Sequence, residues 1–263
     1  MEGPLFWTLA LLAAVSVGLS KGGLPVVAML SVPLLSLVIN PVTAAGLMLP
    51  VFIVSDVFGV WAYRHNFDRR VLSIGVVGLT IGTGVGWATA QSVPEWAVRL
   101  IVGGVGAGFA ASLLLGRGRD APARPANAVS GLVWTSVAGF TSFVSHSGAP
   151  PWQVWVLPLR LSKLAFAGTT TIAFAYVNAL KLVPYAALGQ LGLENLRVAA
   201  MLTPAAVLAV FAGFRLVKIL PEALFFRLVT WALLAVSLKL IRDGLAGGLA
   251  ADALAAMPHF PLA

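Results

Sequence analysis

Two short stretches carry most of the chemistry this chain offers. Ser20-Lys21-Gly22-Gly23-Leu24-Pro25 returns, altered, as Ser145-His146-Ser147-Gly148-Ala149-Pro150, and Pro33 returns as Pro158 at the same offset of 125 residues. Lys21 and His146 hold equivalent positions, an ammonium in one copy and an imidazole between two serine hydroxyls in the other. The Gly and Pro residues interrupt apolar stretches, and N–H groups freed where a helix restarts favour an anion through the local dipole. These types point to a small-anion site built from Lys21, Gly22, Gly23, Ser145, His146, Ser147 and Gly148. The plainer reading is a turn at a membrane surface, with Lys21 reaching headgroups.

A second group lies deeper in the apolar sequence. Of the nine carboxylates, Asp56 is the one well inside an apolar run, where a charge costs roughly 3 kcal/mol on insertion scales. Its rough counterpart in the second half is Asn178, with Lys181 at helical spacing and Thr169, Thr170 and Thr171 upstream. Asn178 and Lys181 share a helix face and can point into one cavity. An Asp56–Lys181 pair has two readings, a structural ion pair or a coupling acid whose protonation changes with exposure.

The elements that must position these residues are membrane helices. The 263-residue chain is 59% hydrophobic and 10% charged, with mean hydropathy +0.96, outside the range of soluble domains. Apolar runs fall at 5–20, 25–39, 42–63, 71–91 and 96–116, then at 128–144, 150–161, 167–189, 196–217 and 223–242. The run from Leu5 to Leu19 lacks a basic leader and is followed by many similar runs, so it reads as mature structure. The repeat continues beyond the opening motif. Asp68 and Leu72 match Glu194 and Val198, Pro94-Glu95 matches Pro221-Glu222, and Tyr63 falls opposite Tyr185. The expected layout is repeat 1 at 1–116 with its tip at 20–25, a basic linker at 117–127, repeat 2 at 128–247 with its tip at 145–150, and a tail at 248–263.

Loop charge sets orientation. Arg64, Arg69 and Arg70, the linker arginines Arg117, Arg119 and Arg124, Arg160 with Lys163, and Arg215 with Lys218 alternate with loops lacking Lys and Arg. The basic loops belong in the cytoplasm, which accounts for the net charge of +8 without nucleic acid. If the first two segments of each half form a hairpin, the second half enters from the opposite side. The fold expected is an all-α polytopic membrane protein of two inverted-topology repeats, each a broken or re-entrant helical hairpin plus three transmembrane helices. Such repeats place a solute site near the midplane.

Other patterns are weaker. Gly78, Gly82 and Gly86, and Gly104 and Gly108, have the spacing of close helix packing. Trp152 and Trp155 are expected to wall the cavity. The absence of cysteine excludes disulfides and thiolate chemistry, and no zinc spacing, nucleotide loop or hydrolytic carboxylate pair is present. No cofactor, metal or enzymatic activity is therefore expected.

Gly18-x-x-Lys21-Gly22-Gly23, the Asp56 segment running to Tyr63-Arg64, and Asn178-x-x-Lys181-x-x-Pro184-Tyr185-x-x-x-Gly189 resemble the sulfite exporter TauE/SafE family of bacterial membrane permeases. The resemblance spans nearly the whole chain. It implies export of sulfite, or of an organosulfonate such as sulfoacetate, across the bacterial inner membrane, with Lys21, Gly22, Gly23, Ser147 and Gly148 contributing to the site. His146 and the stretch from Pro151 to Trp155 depart from the pattern, which leaves a substrate other than sulfite open. The expected function is alternating-access export of a small oxyanion held by Lys21, the hairpin N–H groups, Ser145, Ser147 and Thr170 and oriented by Asn178, with Asp56 or His146 as the candidate proton carrier. A passive anion channel is the alternative, and a membrane assembly factor or enzyme ranks last. The partners expected are the anion, the bilayer and, left open, a second copy of the chain.

Overall fold

Long apolar runs with few charges favour helices that satisfy their own backbone in lipid, and helices are what form. The computed structural model describes residues 3–89, 92–116, 122–187 and 192–255. Among them are ten helices and no strand. The first half comprises α1 (Pro4–Lys21), a 3₁₀ turn (Pro25–Leu30), α2 (Ser31–Leu35), α3 (Pro41–Tyr63), α4 (Arg69–Thr89) and α5 (Glu95–Leu114). The second comprises α6 (Ala128–Ser145), α7 (Ala149–Val156), a 3₁₀ turn (Leu157–Leu159), α8 (Lys163–Ala187), α9 (Leu193–Ile219) and α10 (Glu222–Ala255). Eight of these helices are long and apolar enough to cross a membrane. The two halves therefore share one order: a helix, a break with short helical pieces, then three long helices.

The break positions differ from surface turns. Lys21, the last residue of α1, lies beside Asp56 and Gly59 of α3. Seven residues of α3 remain beyond Asp56, so α1 stops about 10 Å short of its neighbour's end. Lys21 is buried at 4% exposure, which replaces the headgroup-reaching alternative with an internal site. Gly23 permits the reversal: its φ is 113°, and a Cβ there would lie 2.3 Å from the Tyr63 hydroxyl.

Small residues set how the halves meet. Gly18 backs onto Ala206 and Ala209, and Gly22 onto Val210 and Gly213, so α1 and α9 run parallel in close contact. Gly78 meets Thr135, Gly82 meets Ser136, and Gly86 meets Phe143, so α4 and α6 do the same. Exchanging the halves turns one packing into the other. In contrast, α3 and α8 run antiparallel, with Asp56 level with Asn178 and Tyr63 with Gly168. So do α5 and α10, with Gly106 against Ser237 and Trp96 against Gly244.

Two expectations are corrected here. Gly104 and Gly108 face open space; Gly103 and Gly106, one face round, pack on α10. The helix α10 runs to Ala255, past 247 and into the stretch read as a tail, whose residues 256–263 lie outside those described. The linker residues 117–121, Gly189 and the Tyr185 side chain also lie outside them. Long apolar side chains such as Leu11, Ile81, Ile101, Val133 and Leu208 are exposed around the bundle, as lipid-facing positions require.

A Cβ at Gly82 would lie 1.9 Å from the Ser136 carbonyl oxygen, whereas at Gly84, two residues on, it meets nothing within 4 Å. Gly82→Ala is expected to lower thermal stability in detergent by at least about 1–3 kcal/mol through overpacking. Gly84→Ala should leave the melting midpoint unchanged, and equal melting of the two variants would contradict the packing.

Candidate functional site

An ammonium buried among apolar helices demands a counter-charge, and each lysine here finds a different solution. Lys21 Nζ lies 2.7 Å from Asp56 Oδ1, a buried ion pair. The other carboxylate oxygen, Oδ2, accepts a 2.7 Å hydrogen bond from Asn178 Nδ2. Lys21 also stands 5.3 Å from the centre of the Phe52 ring. Lys181 donates to the Ser142 carbonyl at 2.5 Å and to its hydroxyl at 2.9 Å. The expected Asp56–Lys181 pair is thus replaced: Asp56 pairs with Lys21, because α1 ends beside it, and Lys181 caps the last turn of α6. At the hairpin offset of 125 Lys181 falls opposite Asp56, and at the offset of 122 that joins Tyr63 to Tyr185 Asn178 does.

These groups surround a cavity of about 300 Å³. Lys21, Ser145, His146, Ser147, Gly148, Thr170, Asn178 and Lys181 line it, and Asp56 stands behind Lys21 and Asn178. Gly22 and Gly23 do not line it. They serve the close contact with α9 and the turn under Tyr63. Trp152 and Trp155 are core residues: Trp152 stacks edge-on with Trp155 and Phe174, and its indole donates to Thr170 Oγ1 at 2.9 Å.

Donor directions refine the list. Ser145 and Ser147 donate their hydroxyl protons to the carbonyls of Thr141 and Ser145. The Thr170 and Ser142 hydroxyls accept from Trp152 and Lys181, and each hydroxyl also carries a proton to donate. Lys181 has a third N–H beyond the two that Ser142 takes. At the first tip the N–H groups are taken within the turn. Gly22, Gly23 and Leu24 donate to Gly18, Ser20 and Leu19, while Pro25, Pro150 and Pro151 have no N–H. Two lysines and the start of α7 at Gly148 and Ala149 border this cavity.

Four residues at the mouth were not singled out from the sequence: Glu95 with Arg99, 2.5 Å apart on α5, and Lys239 with Asp243 on α10. Their i,i+4 spacing was the available signal. Each is a balanced pair, so the mouth is neutral while the deep end holds two ammonium groups against one carboxylate. The mouth also lies at the start of α5, the end of the bundle opposite the basic loops at Arg64, Arg160 and Lys218.

That opposite end is closed. Tyr63 donates to the Gly22 carbonyl at 2.7 Å and packs on Phe214, Phe166 packs on Phe225 and Phe226, and Lys163 donates to the carbonyls of Lys218 and Leu220.

Comparison with known proteins now adds a family. The profile described as Sulfite exporter TauE/SafE matches residues 9–240. No curated protein and no solved structure matches. The chain belongs to the TauE/SafE family, whose membership implies a multi-pass membrane transporter of sulfur anions.

Asp56→Asn leaves both buried ammonium groups without a counter-ion. Removing one partner of a buried pair costs about 3–5 kcal/mol, so the variant should melt well below wild type in detergent. Lys21→Met combined with Asp56→Asn should recover most of that stability. Unaltered melting of Asp56→Asn alone would show that the ion pair does not hold α1 in place.

Proposed function

We propose that the chain exports a small sulfur oxyanion, sulfite or an organosulfonate, across a bacterial inner membrane by alternating access between two inverted halves. The observation that carries this reading is the pair of buried lysines, one from each half, at the deep end of one cavity with a single carboxylate between them. An anion supplies the missing negative charge and takes hydrogen bonds from Lys181, Ser142, Thr170 and Asn178. The inverted relation is supported by the antiparallel packing of equivalent helices, α3 with α8 and α5 with α10.

With the basic loops in the cytoplasm, the cavity opens outward and the aromatic end under Tyr63 closes it from inside. A cavity open at one end and packed at the other favours a transporter over a channel. Transport requires the Tyr63–Gly22 contact to break and the mouth between α5 and α10 to close, a discrete repacking of helices. Asp56 acts as the coupling group: protonation frees Lys21 for the anion, and the two are released together. Substrate size follows from the cavity, whose wall includes the apolar Phe52, Phe174, Val32 and Leu49 and accepts a short carbon tail.

Efflux of labelled sulfite and sulfoacetate from proteoliposomes tests the reading. Wild type should give saturable flux that responds to an imposed pH gradient, and Lys21→Ala or Lys181→Ala should reduce it at least about tenfold, the worth of one charge-assisted hydrogen bond. Flux that does not saturate and ignores both lysines would establish a channel.

A further inference from the structure

Gln153 lies on α7, the short helix that follows the second break. It is fully buried, and neither its amide nitrogen nor its carbonyl oxygen has a hydrogen-bond partner. A primary amide left unpaired in a dry interior is destabilising, and an apolar side chain of the same shape would suit that environment better. Packing therefore gives no reason for a glutamine here. Another conformation does.

The pairs Pro25 with Pro150 and Pro33 with Pro158 bound a stretch without gaps, in which Gln153 corresponds to Ala28. Ala28 lines the open cavity. Around Gln153, Ala149 lines the same cavity, while Val154 and Trp155 line a second one of about 850 Å³, with Arg124 and Arg160 in its wall. The short helix α7 thus separates the outward cavity from a basic cleft near the cytoplasmic loops, and Gln153 is shut within the partition.

We infer that Gln153 is a ligand for the transported anion in the inward-facing state, its Nε2–H donating to an oxyanion oxygen on the cytoplasmic side. The inference rests on the alternating-access reading above. When the halves exchange roles, the surface now supplied by the 3₁₀ turn Pro25–Leu30 is supplied by α7, and the amide moves from core to cavity wall. The cost of burying it unpaired then favours opening toward the side where anion is loaded.

The chain has no cysteine, so single substitutions report access directly. A membrane-impermeant maleimide is applied to right-side-out and inside-out vesicles carrying Ala28→Cys or Gln153→Cys. Ala28→Cys should react from outside. Gln153→Cys should react from the cytoplasmic side at least about tenfold faster than from outside, since the open state is a minority population. Gln153→Cys that reacts from neither side, or equally from outside, overturns the inference. Ala28→Cys that does not react from outside overturns the alternating-access reading itself. A second variant separates ligand from packing: Gln153→Leu should keep or raise the melting midpoint while lowering sulfite efflux roughly tenfold. Unchanged efflux, or a lowered midpoint, places Gln153 in the fold and not in the transport path.

Discussion

A charged lysine at a helix end inside a membrane is the constraint on which the rest of this structure depends. Lys21 closes α1 about 10 Å before its neighbour ends, buried at 4% exposure in the wall of the cavity. A cation in the last turn suits the helix dipole, but the dipole does not replace lost hydration. Asp56 does, and it also accepts from Asn178, so one carboxylate ties α1 to α3 within a half and to α8 across halves. The break itself follows. With α1 fixed at that depth, the chain must reverse at once, which Gly23 allows and Tyr63 locks by donating to the Gly22 carbonyl.

The tightest helix contacts cross between halves: α1 on α9 and α6 on α4, both through glycine against backbone. Each broken helix is thus mechanically part of the opposite half's bundle. A glycine face without side-chain knobs resists separation but permits sliding, while the interdigitated aromatic end under Tyr63 and Phe166 has two discrete options, packed or apart. In the proposed transport cycle, opening of the inner end acts on the aromatic contacts and leaves the glycine faces intact.

Much of this was legible in the sequence because it is written in residue types that tolerate few environments. The repeated Gly-Pro tips, the long apolar runs and the lone intramembrane carboxylate each have few physical solutions, and they mark out the breaks, the spans and Asp56. Partner choice was less legible. The sequence offers Lys181 to Asp56 because it follows Asn178, the rough counterpart of Asp56, at helical spacing, but α1 stops beside Asp56, and the nearer ammonium takes it. Pro25, Pro150 and Pro151 carry no N–H, so of the tip residues it is Gly148 and Ala149 that keep a donor at a helix start. The mouth pairs Glu95–Arg99 and Lys239–Asp243 lie toward span ends, where charge is ordinary and gives no sign that two helices will bring them to one cavity.

The proposed anion site draws on an asymmetry between the halves. At the hairpin offset of 125 the first half has Lys21 and Asp56, the second His146 and Lys181. Two copies of the first arrangement would give two balanced pairs and a neutral cavity. Replacing the carboxylate of the second pair by Lys181 removes one negative charge and adds one positive charge, and the lysine reaches Ser142 of α6 much as Asp56 reaches Lys21 of α1. A second ammonium at position 146 would then leave three cations against one carboxylate, a buried excess costly to hold when the site is empty. An imidazole at His146 avoids that cost in its neutral form and still offers polar atoms to the cavity. The surplus is held to the one charge that a single bound oxyanion can neutralise.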